Sequence, residues 1–240
     1  MKLSGKTILV TGATDGIGAC LIEQLRGKGA TVIASGRSPG KVAATRAKGF
    51  EVIEADLSAR EGVDALLAGL AGQTIDVLVN NAGASNDHDF RSGSPDPEAA
   101  ARDIQLNLTS PIQLIVRLMP MLRSRGEAMV VNVTSGLAIA PRMGGPVYCA
   151  TKAGLRSYSM AIRAQLKGSG IHVLEALPPV VETAMTAGRG GMKMSAADCA
   201  GAIVRAMERN ADEANIGLTR IMRLVYSISP ALIRRVMIRF

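Results

Sequence analysis

Tryptophan is absent from these 240 residues, and tyrosine and phenylalanine occur three times each. Six aromatic rings leave little to stack on unpaired bases, which argues against nucleic acid as a partner despite a formal net charge of +8. Histidine occurs only as His88 and His172, on different predicted elements and without ligand-spaced companions, so a solvated or core role is expected and no metal site. The three cysteines, Cys20, Cys149 and Cys199, are odd in number and lack metal spacing. That excludes a disulfide framework and fits free thiols in a reducing cytoplasm. No apolar run approaches the roughly 18 residues of a membrane span. The opening Met1–Lys6 leads into a short apolar strand rather than the apolar core of a signal peptide. No linker-like block or repeat divides the chain, and 48% apolar residues suit one core. One domain over residues 1–218 is expected, followed by a basic extension, 219–240.

What is present alternates. Strand-like runs near 6–10, 31–35, 50–54, 75–79, 128–134, 171–176 and 213–217 are separated by helical stretches near 17–28, 39–48, 59–71, 97–123, 146–168 and 195–209. Such alternation predicts an α/β fold, a parallel doubly wound sheet with helices on both faces. Pro146 fits the first turn of a helix, and Ser195-Ala196-Ala197-Asp198 fits a capping box. Ligands of such sheets sit outside the carboxyl ends of the strands.

The motifs follow those ends. Thr11-Gly12-Ala13-Thr14-Asp15-Gly16-Ile17-Gly18 comes after the strand Thr7–Val10 and opens a helix. Gly12 permits a tight turn, Gly16 lets backbone approach a pyrophosphate, and Gly18 allows close packing, while the helix N-terminus offers amide donors to an anion. Asn80-Asn81-Ala82-Gly83 follows the next central strand, and Ser135 follows Met129–Val133. Tyr148 and Lys152 stand one helical turn apart in Tyr148-Cys149-Ala150-Thr151-Lys152. An ammonium on the same helix face as a phenol favours the phenolate and lowers the tyrosine pKa from about 10. Each motif alone has an ordinary reading: a turn for the glycines, a strand-end residue for Ser135, a helix-surface amide for Asn107, a surface pair for Tyr148 and Lys152. Their conjunction does not.

Together they resemble the short-chain dehydrogenase/reductase family in its compact single-domain form, over residues 4 to about 218. Tyr148–Ala153, Pro178–Thr183 and Gly190–Met194 resemble a branch that includes oxidoreductases encoded beside genes for D-alanylation of lipoteichoic acid. The resemblance implies a Rossmann-like sheet in the order 3-2-1-4-5-6-7 and reversible hydride transfer between a nicotinamide and a carbonyl or alcohol carbon. It also implies a homodimer or homotetramer. Tyr148 is then the acid/base, and Ser135 hydrogen-bonds the substrate oxygen. Lys152 tunes Tyr148 and grips the nicotinamide ribose. Asn107, its side chain bound to helix backbone, supports a water relay. Cofactor contacts fall on Gly12, Thr14, Asp15, Gly16 and Ile17, on Asn81, Ala82 and Gly83, and on Pro178, Val181 and Thr183. Asp56 and Leu57 match the adenine-contacting pair, although a helix N-cap is the plain alternative for Asp56. Pro179 departs from the family's more common Pro-Gly.

The second strand ends Ser35-Gly36-Arg37, with no acid to receive ribose hydroxyls. A guanidinium there suits a 2′-phosphate, so NADP(H) is expected over NAD(H), which remains possible. Asp15 either opposes that phosphate or faces solvent. Substrate walls are expected from 84–96, 136–146 and a glycine-hinged lid, 184–194. A carrier-protein thioester is an alternative substrate, greeted by Arg142, Arg189 and Lys193. A non-catalytic nucleotide sensor is a further alternative, disfavoured by the complete tetrad. The last twenty-two residues hold five arginines and no acid. Apolar residues at Ile221, Met222, Leu224, Val225, Leu232, Ile233, Val236, Met237 and Phe240 predict two short amphipathic helices broken near Pro230. Packing on protein is expected ahead of contact with an anionic membrane.

Overall fold

The computed structural model describes every residue except Ser92, Arg189 and Phe240. Arg189 at the expected mouth and Phe240 in the expected tail stripe therefore lie outside the described residues. Seven strands, β1 (Thr7–Val10), β2 (Thr31–Gly36), β3 (Glu51–Glu54), β4 (Val77–Asn80), β5 (Ala128–Val133), β6 (Ile171–Leu177) and β7 (Glu213–Asn215), pair in parallel in the order β3-β2-β1-β4-β5-β6-β7. This is the expected Rossmann-like sheet. Every residue of β4 and β5 is buried, as both-face covering demands.

Strand alternation divides the core. Ile8, Val10, Val77, Val79, Met129 and Val131 face α1 (Gly16–Gly27) and α7 (Ala196–Glu208), whose Leu21, Leu25, Ile203 and Met207 complete one cluster. Leu9, Leu78 and Val130 point the other way, onto Leu66 of α3 (Gly62–Gly69), Leu114 and Leu118 of α5 (Ser110–Arg123), and Ile162 of α6 (Pro146–Gln165). The helix α2 (Pro39–Ala47) covers the edge beside β2 and β3. Ser195 caps α7 by accepting from the Asp198 amide at 3.0 Å, while its own hydroxyl donates to the Asp198 carboxylate at 2.6 Å.

The expected single helix over 97–123 is interrupted. It comprises α4 (Pro97–Ile104), a π-helical turn at Gln105–Thr109, and α5. Pro111 explains the break: it has no amide hydrogen to give the Asn107 carbonyl four residues back. The tail forms α8 (Thr219–Ile228) and α9 (Pro230–Met237), divided at the proline.

Candidate active site

The ends of β1, β4, β5 and β6 converge on one crevice, and hydrogen bonds lock their loops together. The Thr11 hydroxyl accepts from the Asn81 and Ala82 amides at 3.0 and 3.1 Å. The Asn81 side chain donates to the carbonyls of Thr11 and Gly12, both at 3.0 Å. Its amide thus holds the glycine loop in place. Gly12 turns at φ +62°, and a Cβ there would lie 2.7 Å from the Ala82 Cα. A Cβ on Gly18 would sit 2.1 Å from the Gly12 carbonyl oxygen, so what packs closely on Gly18 is the preceding loop rather than the strand.

Lys152 is the most enclosed charge of the site. It is buried, and its Nζ donates to the Val133 carbonyl at 2.9 Å, 5.8 Å from the centre of the Tyr148 ring. Burial depresses its pKa from 10.5 to about 8. The ammonium is still mostly charged at pH 7. Tyr148 and Lys152 both lie on α6, which opens with Pro146 in its first turn. Ser135 follows β5 by two residues, and its Oγ accepts from the Leu137 amide at 3.1 Å, leaving its own proton for another acceptor.

Asn107 sits in the π turn with no exposed surface. Its side chain is bound to the loop beyond β4 and not to helix backbone: Oδ1 accepts from the Ala84 amide at 3.1 Å and Nδ2 donates to the Ala84 carbonyl at 2.9 Å. The side chain leaves from the π turn, whose backbone bonds run five residues ahead and so pass over the missing amide hydrogen of Pro111. A Cβ on Gly83 would meet both Asn107 Oδ1, at 2.9 Å, and Lys152 Nζ, at 3.4 Å. Asn107, Gly83 and Lys152 are therefore neighbours.

At the adenosine end, Arg37 is exposed and touches Asp56 at 3.8 Å. Asp56 closes a turn by accepting from the Ser58 amide at 3.0 Å, five residues before the cap of α3, so it is not a helix N-cap. Leu57 is buried, and its carbonyl accepts from the Ser110 hydroxyl. Asp15 is the N-cap of α1, accepting from the Gly16 amide, and it is ion-paired with Lys41 of α2. That hydrogen bond with Lys41 is the main cause lowering the Asp15 pKa. The sequence reading missed Lys41, whose pairing partner is twenty-six residues away in the chain. Its ammonium offsets the acid that stood against a 2′-phosphate. Thr14 lies against Gly36, where a Cβ would be 2.5 Å from both Cγ2 and Oγ1. The glycine loop, the α1 N-terminus and two cations thus fit a phosphorylated dinucleotide.

Thr183 brings its Cγ2 to 2.9 Å from where a Gly16 Cβ would be. The Pro178 carbonyl accepts from the Gly136 amide at 3.0 Å, and Val181 is buried in a bridge to Met194. The segment 184–194 is closed at its neck by that bridge, and Lys193 donates across it to the Thr186 carbonyl at 2.7 Å.

A cavity of about 780 Å³ lies against Pro146, Cys149, Ala150 and Ala153, the face of α6 turned away from Tyr148 and Lys152, and no tetrad residue lines it. Its other walls are His88–Arg91, Leu137–Ile139 and Pro141–Met143, with Tyr226, Arg234 and Ile238 from the tail. Sequence periodicity carries no signal for where a tail lands. Arg142 is turned inward: its guanidinium donates to Asp87 at 3.2 Å and lies over Gly144 and Gly145. His88 is a core residue, its Nε2 3.0 Å from the buried Asp103 carboxylate. Among the described residues no cluster of acids, histidines and cysteines could hold a metal.

The sheet order and the site place this chain in a known class. It belongs to the short-chain dehydrogenase family, whose pattern matches residues 6–193, and is an oxidoreductase of that family. It is 36% identical over 189 residues to the uncharacterized oxidoreductase DltE of Bacillus subtilis, covering 77% of this chain and 75% of that one. To the serine 3-dehydrogenase of Rhizobium radiobacter it is 34% identical over 201 residues, covering 80% and 78%. Among solved structures, a short-chain dehydrogenase from Burkholderia cenocepacia in complex with NADP superimposes with a TM-score of 0.88 at 25% identity, covering 99% of each chain.

Proposed function

We propose that this chain interconverts a carbonyl and a secondary alcohol with NADP(H), using Tyr148 as acid/base. The observation that carries the reading is the buried Lys152 ammonium, fixed on the Val133 carbonyl beside the Tyr148 ring. A positive charge held there favours the phenolate, so Tyr148 can give its proton to a substrate oxygen in reduction and take it back in oxidation. The Ser135 hydroxyl, its oxygen already engaged by the Leu137 amide, donates to the same substrate oxygen and stabilises the charge that develops on it. Nicotinamide, when bound, supplies or accepts the hydride. Asn107, bound to both backbone groups of Ala84, fixes the loop beyond β4 beside Lys152 and is the residue to support a water relay. Gly12, Thr14, Gly16 and Ile17, with Asn81–Gly83 behind them, form the pyrophosphate bed; Pro178, Val181 and Thr183 flank the nicotinamide; Asp56 and Leu57 border the adenine. Arg37, with Lys41 neutralising Asp15, supports choice of the 2′-phosphate. The NADP carried by the Burkholderia relative supports the same preference.

The Tyr148→Phe variant tests the assignment. Turnover should fall by a factor of about 10² to 10⁴, the usual scale of general acid–base catalysis, with cofactor binding nearly intact. Single-turnover hydride transfer near the wild-type rate would refute the role. The carrier-thioester alternative loses support from Arg142 and Lys193, both engaged internally. Comparing acetoacetyl thioester with small ketones separates the two substrates.

A further inference from the structure

The tail packs by one face only. Thr219 is buried and donates to the Leu177 carbonyl at 2.9 Å, Met222 lies against Gly136, and Ile233 is buried. The opposite face is apolar and open. Ile221, Leu224 and Ile228, spaced along one side of α8, are 60%, 62% and 79% exposed, and Leu232 and Val236 of α9 continue the surface at 53% and 43%. Five arginines border these residues, and the segment contributes no acidic side chain. Arg223 reaches Glu213 at 3.8 Å, whereas Arg235 and Arg239 have no acidic partner among the described residues.

We propose that this face docks on the surface of an anionic phospholipid membrane. Aliphatic side chains ringed by guanidinium groups match a surface with apolar depth below and phosphate charge above. A second copy of the chain fits less well, because a two-fold contact sets the same patch against itself and brings arginine onto arginine. Among the described residues, no helix is long and apolar enough to cross a membrane, so the contact is peripheral.

Flotation of the full chain with vesicles of equal parts phosphatidylglycerol and phosphatidylcholine, against phosphatidylcholine alone, tests the proposal. The protein should float with the anionic vesicles at low salt and be released at high salt. Replacing Arg235 and Arg239 together by serine should weaken binding about thirtyfold, at about fivefold per arginine. Serine at Ile221, Leu224 and Ile228 should remove retention while leaving the melting temperature unchanged. Absence of flotation, or equal flotation with neutral vesicles at every salt concentration, would overturn it. So would a wild type that stays off vesicles while the triple serine variant loses oligomeric mass by light scattering, which assigns the face to a second copy.

Discussion

Replacing Lys152 by methionine should stabilise the apo protein while abolishing its activity. Burial lowers the ammonium pKa from 10.5 to about 8. At about 1.4 kcal/mol per unit, keeping the group charged costs the fold about 3 kcal/mol. The sign follows from proton counts. Between pH 8 and 10.5 the unfolded chain binds the proton that the folded chain has released, so stability rises with pH across that window and the full cost applies below it. Methionine removes the cost but orphans the Val133 carbonyl, which loses a 2.9 Å donor, at about 1–2 kcal/mol. The net gain near pH 7 is about 1–2 kcal/mol, a rise of roughly 2–6 °C in melting temperature for a domain of this size. Thermal unfolding without cofactor, repeated from pH 7 to 10, measures it. The gain should shrink above pH 8 and vanish by about pH 10. A variant less stable than wild type at pH 7, or a difference indifferent to pH, would refute the account of Lys152 as a charge held against its hydration.

Three further outcomes are expected. The efficiency ratio of NADPH to NADH should exceed one; Gly36→Asp alone should destabilise through Thr14, and only Gly36→Asp with Thr14→Ala should invert the ratio in steady-state kinetics. Arg156 donates to Glu175 at 2.6 Å and to Glu213 at 3.0 Å. Arg156→Met should therefore cost about 3–5 kcal/mol in denaturant unfolding. Burial already raises the Glu175 pKa, so that defect should be smallest near the ordinary carboxylate range and grow as pH rises. Truncation after Leu218 removes the buried Ile233, worth about 1.5–3 kcal/mol. Calorimetry should show a lower melting temperature, and an unchanged one would place the tail outside the fold's energetics.

Strand order and the closeness of Lys152 to Tyr148 and to Asn107 were legible in sequence because the motifs follow strand ends and parallel topology brings those ends together. Other features were not, for definable reasons. The π turn had one local sign, Pro111, which a helix-period count over 97–123 absorbs without notice. The pairing of Asp15 with Lys41 joins the N-cap of α1 to the first turn of α2 through space, and neither residue carries a mark of the other. The close approach of Thr14 to Gly36 depends on side-chain placement, which strand-end spacing does not report. The tail's two helices and their break at Pro230 follow from periodicity. Which of its faces meets the body depends on Gly136, a residue chosen by β5 and not by the tail.

The contact between Lys152 and Val133 is made to a main-chain carbonyl. The side chain at position 133 could drift among aliphatic residues without moving the ammonium. Mutational scanning there would register only packing, and the hold on the charge beside Tyr148 would stay silent in such data. An amide-to-ester replacement at the Val133–Thr134 linkage, which weakens that carbonyl as an acceptor, is the kind of change that would make it visible.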